Sequence, residues 1–163
     1  MSMAKIAVIG GGAAGMLAAG RAAQRGHEVH LYEKNNRLGK KILITGKGRC
    51  NVTNDADLDT FLDNIPGNPY FLYSAWYRFD NQALRALLHS LGVETKVERG
   101  QRVFPVSDRS QDIVQALEKY LHKNHVALHL ESPVEKLLCE NGKIQGIVLK
   151  NKKEIYFNAV IVA

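Results

Sequence analysis

The chain has 163 residues, of which 45% are hydrophobic and 23% charged, with a formal net charge of +6 and a pI of about 9.4. That length supports one domain with a real core and excludes two large ones, and no apolar run approaches the ~20 residues of a membrane-spanning helix. The basic residues are dispersed, apart from Lys40-Lys41, Lys47 with Arg49, and Lys150 to Lys153. This pattern reads as a solvated basic surface that suits an anionic ligand, in preference to a nucleic-acid patch.

The first strand is expected over Lys5–Ile9, followed by the glycine turn Gly10-Gly-Gly-Ala-Ala-Gly15 and a small-residue helix from Ala13 to Arg25 closed by Gly26. A second strand over Glu28–Tyr32 ends on the acid Glu33. Gly10, Gly12 and Gly15 form G-x-G-x-x-G with a strand before, a helix after and an acid about twenty residues on. Gly10 permits the tight turn and Gly12 lets a pyrophosphate approach the backbone. Gly15, with Ala19 one turn later, allows the helix to pack close to the sheet. The unsatisfied N–H groups of the helix start, at Ala13 and Ala14, favour phosphate. Glu33, beside Lys34, is placed to accept from a ribose and disfavours a 2′-phosphate. This is a dinucleotide site, and spacing alone does not separate FAD from NAD.

Asn35 to Asn54 is basic and glycine-rich, with Gly39, Gly46 and Gly48, and Ile42–Ile44 is expected as a short buried strand. The segment reads as a loop around something anionic. It is not a P-loop, because Gly46-Lys47 is followed by Gly48 and no glycine lies five residues before Gly46. Leu58, Phe61, Leu62 and Ile65 have helical spacing, and Pro66 to Pro69 breaks the chain. Tyr70, Phe71, Tyr73, Trp76, Tyr77 and Phe79 form an aromatic cluster expected in the core. Gln82–Leu91 is an amphipathic helix. Val93 to Val97 and Arg102 to Val106 read as two strands joined by Arg99-Gly100-Gln101, the second an edge or irregular strand because of Pro105.

Asp108 or Ser110 is expected to cap a helix running to Lys123. Val126, Leu128 and Leu130 mark a third parallel strand. A meander follows: Val134–Glu140, the turn Asn141-Gly142, Lys143–Lys150 and Glu154–Phe157. Val160–Ala163 reads as a fully buried strand, and from it we expect the chain to be the N-terminal part of a longer protein. The fold class is therefore α/β: a Rossmann-like parallel sheet with crossover helices and an antiparallel meander. Residues 1–54 form the dinucleotide unit and loop, 55–110 an insertion, and 111–163 the remainder of one cofactor-binding domain.

Other candidates read as bland. Cys50 and Cys139 are far apart with no C-x-x-C, which suits a reducing compartment and gives no zinc site. With no leader visible, the cytoplasm is the expected location. His122, His125 and His129 straddle a helix end and a strand and do not share a face.

The run Ile6 to Met16 with Tyr32-Glu-Lys34 resembles the FAD-binding start of glutathione-reductase-type flavoproteins. More specific are Arg37-Leu-Gly-Lys-Lys-Ile-Leu-Ile-Thr-Gly-Lys-Gly-Arg-Cys-Asn-Val-Thr-Asn54 and Gly100-Gln-Arg-Val-Phe-Pro-Val-Ser107. Together they resemble the bacterial FAD-dependent oxidoreductases of the BaiN/RdsA or aminoacetone-oxidase-like family, over essentially the whole chain. The resemblance implies that the glycine turn and Glu33 hold the ADP half of FAD. It implies that Gly39, Lys41, Gly48, Arg49, Cys50 and Asn51 run along the pyrophosphate and flavin, and that the backbone at Val134 meets the adenine. Family members are about twice this length or more and carry a separate substrate domain. The expected activity is that of a flavin-dependent oxidoreductase linked to NAD(P)H or oxygen, of undefined substrate and without a catalytic residue named here. The portion in hand is expected to be inactive alone. The alternative is a flavin-dependent protein modifying tRNA or another nucleic acid.

Overall fold

A computed structural model describes residues 2–163. The chain divides into two compact units: residues 1–42 with 117–163, and residues 43–116.

The first unit is built on a four-stranded parallel sheet of β1 (Lys5–Ile9), β2 (Glu28–Tyr32), β6 (Ala127–His129) and β10 (Ala159–Val162), in the order β10-β1-β2-β6. Ala7, Val8 and Leu31 are fully buried, as near-continuous apolar runs in a parallel sheet require. Helix α1 (Ala13–Gln24) links β1 to β2. Its small residues let it lie close to its neighbours: a Cβ on Gly20 would stand 2.1 Å from the ring of Tyr120 on α5 (Ser110–Lys123). The Tyr120 hydroxyl then donates to Gln24 Oε1 at 3.0 Å. The meander comprises β7 (Val134–Glu140), β8 (Lys143–Leu149) and β9 (Glu154–Tyr156), with Asn141 and Gly142 both at positive φ in the tight turn. Ile147, Leu149 and Phe157 pack with Ala7 and Tyr32 into one core cluster. β10 is an edge strand, not a fully buried one: Ala159 to Ile161 are half-buried and Val162 is 69% exposed.

The second unit holds a small antiparallel sheet in the order β3 (Thr53–Asn54), β5 (Arg102–Pro105), β4 (Thr95–Glu98). The strand carrying Pro105 is therefore central. Pro105 is tolerated because β3 pairs only as far as Val103, so the missing N–H falls where one flank of β5 has no partner strand. Three short helices accompany the sheet. Asp57 caps α2 (Leu58–Asp63) by accepting from Thr60 N–H, and Asp80 caps α4 (Asn81–Ser90) by accepting from Ala83 N–H. Between them lies α3 (Tyr73–Arg78).

Two further expectations fail. Ile42–Ile44 is not a strand but the start of a 3-10 stretch, Ile42–Gly48, with Ile44 75% exposed. The chain continues through positive φ at Gly46, Lys47, Gly48 and Cys50, which curl the remainder of the loop. The aromatic cluster is not core either: Tyr70, Phe71, Tyr73, Tyr77 and Phe79 are all exposed, and of the six Trp76 alone stacks on a neighbouring helix, against Phe61 at 4.1 Å. Only Tyr73, Trp76 and Tyr77 lie on α3, while Tyr70 and Phe71 belong to the preceding 3-10 stretch Pro69–Leu72 and Phe79 is the helix C-cap, so the six do not form one helical face.

The Asp108 carboxylate accepts from Arg49 and Lys96. Ser110 is the first residue of α5 and its hydroxyl donates to the Leu43 carbonyl. Among the described residues no helix is long and apolar enough to cross a membrane.

Candidate dinucleotide site

The three glycines act differently. Gly10 has φ +109°, which favours glycine, and a Cβ there would stand 2.3 Å from the Ala163 carbonyl oxygen. A Cβ on Gly15 would stand 1.8 Å from the Gly10 carbonyl oxygen, so the helix sits directly on the turn. Gly12 is the helix N-cap in extended backbone (φ −81°, ψ −174°), and an added Cβ would meet nothing within 4 Å. The turn thus has one position where the backbone is bare to an approaching ligand. The helix start behind it, at Ala13 and Ala14, is exposed, and its positive dipole end attracts an anion.

Glu33 is the hinge of the site. Its Oε2 accepts from Gly11 N–H at 2.7 Å, and its Oε1 accepts from Asn35 N–H at 2.8 Å and from Asn35 Nδ2 at 2.5 Å. Burial favours the neutral acid, but the Asn35 and Gly11 donors and the nearby Lys34 charge outweigh it and hold the carboxyl below its usual value. A carboxylate 8% exposed is therefore ionised and ties the glycine turn to the end of β2. With four acceptor sites and three donors, one on Oε2 is left for a further hydroxyl. Gly39 N–H donates to the Gly11 carbonyl at 2.8 Å and braces the turn from the other side.

These groups border a cleft of about 410 Å³. Of the residues singled out in the sequence, Gly10, Gly12, Glu33, Lys34, Lys41 and Val134 line it. Gly15 lies buried beneath the turn. Sequence reasoning missed Gly11, Asn35, Lys40 and Ser132-Pro133, which also line the cleft. Asn35 was the one with a signal, as an amide two residues past the acid. The charge balance matches the cleft: the unit containing it has fourteen Lys and Arg against seven Asp and Glu, a net of +7, while residues 43–116 have eight against nine. A bare backbone position, an exposed helix start and a positive field fit one end of an anionic dinucleotide.

Gly48, Arg49, Cys50 and Asn51 belong to the second unit. Arg49 is engaged there. Its Nε donates to Asp108 at 2.8 Å, its Nη2 donates to Glu98 and Asp108, and its guanidinium lies 4.2 Å from the Phe104 ring centroid. The bond from Arg49 holds the Glu98 carboxyl below its usual value, and Lys96 and Arg49 do the same for Asp108. Asn51, oriented with its amide nitrogen toward the Thr53 and Val103 carbonyls, reaches them at 3.0 and 3.2 Å. Cys50 is 6% exposed, and burial pushes its thiol up. Burial and the raised pKa both disfavour the thiolate form there. His129 pairs with His30 at 3.0 Å and stacks on Tyr32 at 4.4 Å, away from His122 at the end of α5.

Turn, acid and sheet order define a dinucleotide-binding Rossmann-type domain. Residues 4–163 match the family described as HI0933-like protein Rossmann domain, and the chain belongs to that family, the one to which its two specific motifs pointed. The chain is 35% identical over 138 residues to a 3-dehydro-bile acid delta(4,6)-reductase of Clostridium scindens, covering 83% of this chain and 33% of that protein. It is 34% identical over 128 residues to a ribosomal RNA dihydrouridine synthase of Escherichia coli, covering 78% of this chain and 31% of the other. The chain thus spans about a third of the length of these relatives. Among solved structures, 3-ketosteroid-delta4-(5alpha)-dehydrogenase from Rhodococcus jostii RHA1 superposes with a TM-score of 0.72 at 18% identity, over 98% of this chain and 45% of that one. That likeness establishes the fold.

Proposed function

We propose that the cleft beside Gly12 holds the ADP half of FAD, and that the chain is the cofactor-binding portion of an oxidoreductase of its relatives' length, inactive by itself. The observation that carries this is the bare backbone at Gly12 lining the same cleft as an ionised, pinned Glu33. Gly12 and the helix-start N–H groups of Ala13 and Ala14 take the pyrophosphate, and the spare acceptor of Glu33 takes a ribose hydroxyl. Lys34 and Lys41 offset phosphate charge, Gly39 keeps the turn in shape, and the backbone at Val134 meets the adenine. Gly48, Arg49, Cys50 and Asn51 are assigned to the same cofactor on family resemblance alone.

FAD, when bound, supplies a two-electron carrier that passes on hydride. The names of the two relatives share a chemistry, the reduction of a ring carbon–carbon double bond conjugated to a carbonyl. We extend that reaction class to the oxidoreductase of which this chain is a portion. The substrate gains hydride at one carbon and a proton at the other, and a reduced nicotinamide dinucleotide is consumed as donor. The cofactor assignment is tested by titrating FAD into the purified chain and following visible absorbance and flavin fluorescence. A saturable change is expected, and an unchanged spectrum overturns the assignment. NAD(P)H oxidation by the longer protein, dependent on a conjugated ring carbonyl, tests the reaction class.

A second reading is a flavoprotein that modifies RNA. The dihydrouridine synthase relative favours it, as does the net charge of +7 on the cleft-bearing unit. Salt-sensitive RNA binding by the longer protein is its test.

A further inference from the structure

The two family-specific runs, separated by almost fifty residues in sequence, meet inside the second unit. Thr53 pairs with Val103 and Asn54 with Arg102. Asn54 Nδ2 donates to the Gly100 carbonyl at 2.9 Å, and Asp55 N–H donates to the Gln101 carbonyl at 2.7 Å. Buried Asn81 locks the junction by donating to the carbonyls of Asn54 and Ala56 at 2.8 and 2.7 Å. This junction forms one wall of a cavity of about 520 Å³, and α2 forms another through Thr60, Phe61, Asn64 and Ile65. The volume lies in the range of about 300–1,000 Å³ typical of small-molecule sites.

The chemistry of the lining is selective. None of the residues lining the cavity is charged, so nothing there offers a counter-ion to a carboxylate or phosphate. Phe61, backed by Trp76, gives an apolar wall. Asn64 Nδ2 is engaged with the Thr60 carbonyl at 2.8 Å, which leaves its Oδ1 as an acceptor. Gln101 is held at φ +55°, directly after Gly100 at +73°, a backbone state that favours glycine. Its carboxamide takes no partner among the described residues. Glycine would fit this backbone with less strain, and the exposed Gln101 amide is open to a ligand at the cavity rim.

We propose that this cavity binds a neutral ring carbonyl compound. Gln101 Nε2 donates to the carbonyl oxygen, Asn64 Oδ1 accepts from a ring N–H or a hydroxyl, and Phe61 packs on the ring. The proposal rests on the reaction class argued above, and it specifies the recognition groups. None of the lining residues is charged, so the ligand is taken to be a free small molecule, with a polynucleotide as an outcome the test decides.

The test is titration of the ¹⁵N-labelled chain with two probes, uridine and 2-cyclohexen-1-one. Saturable shifts are expected at the side-chain amides of Gln101 and Asn64 and at the Phe61 backbone, with Gly11 and Asn35 unmoved. Uridine alone acting identifies a nucleoside, the enone alone an alicyclic substrate, and both acting the shared ring carbonyl. Gln101→Gly removes the amide and relieves the turn. It should melt no lower than the native chain yet bind the active probe about fivefold more weakly. No saturable shift with either probe, native-like binding by Gln101→Gly, or a lowered melting temperature in that variant overturns the proposal. Tighter binding of an oligouridine than of uridine at this cavity also overturns it. FAD titrated into the same sample separates the two readings: flavin binding with a silent cavity defeats only this inference, and loss of both defeats the cofactor assignment.

Discussion

Replacing Gly12 by serine should leave the fold intact and damage the cofactor site. Gly12 is the N-cap of α1 in extended backbone that any residue adopts, and no atom lies within 4 Å of the position a Cβ would take. Serine is a good N-cap, worth a few tenths of a kcal/mol over glycine at about that scale, so the melting temperature should hold or rise slightly. The new Cβ and Oγ occupy the space through which a pyrophosphate reaches the helix-start N–H groups. Forfeiting one charge-assisted hydrogen bond costs about 1.5–3 kcal/mol, which is roughly ten- to a hundredfold in Kd. FAD titration monitored by flavin fluorescence, paired with a thermal melt by circular dichroism, reads both effects. A folded Gly12→Ser chain that binds FAD as tightly as the native one would refute the argument, because the cofactor would then lie elsewhere.

Other outcomes follow from the same geometry. Gly15→Ala, with its Cβ 1.8 Å from a backbone carbonyl, should destabilise by about 3 kcal/mol or more, and a melting temperature within error of native would contradict the packing. Gly20→Ala should be destabilised by the Tyr120 ring at 2.1 Å and recovered in part by adding Tyr120→Ala, the coupling being read from a double-mutant cycle in urea. Glu33→Ala leaves the Gly11 and Asn35 N–H groups without their acceptor, at about 1–3 kcal/mol for each buried donor. Because folding lowers the Glu33 pKa from 4.5, its contribution is complete above that value and is lost as pH falls through the folded value. The stability gap between native and Glu33→Ala should therefore be wide at neutral pH and narrow progressively as the pH is lowered below 4.5, and an unchanged gap would deny the carboxylate its role. Of the two thiols, exposed Cys139 should react with a maleimide well before buried Cys50, whereas faster labelling of Cys50 would mean that its segment is open.

Much of the fold was legible because its signals are local. The strand over Lys5–Ile9, the glycine spacing, the small-residue helix and the Asn141-Gly142 turn each depend on residues a few positions apart, and all appear in the structure. The errors arose where a local pattern left the neighbour undetermined. Pro105 reads as an edge signal, yet β5 is central, because the short β3 ends before reaching it. The aromatics from Tyr70 to Phe79 read as core by composition, but burial needs a surface to face, and only Trp76 meets one on a neighbouring helix.

For the site, sequence by itself determined which backbone positions are bare and which acid follows the second strand, since both are set by residue type and spacing along one β-α-β unit. Only the tertiary structure decided what those groups touch. It places Glu33 against Gly11 and Asn35, commits Arg49 to Glu98 and Asp108, and brings Asn54 to Gly100. The physical reason is that hydrogen-bond and ion-pair partners are chosen by distance in space. A donor's type is written at its own position, but the acceptor it finds depends on how the intervening chain packs.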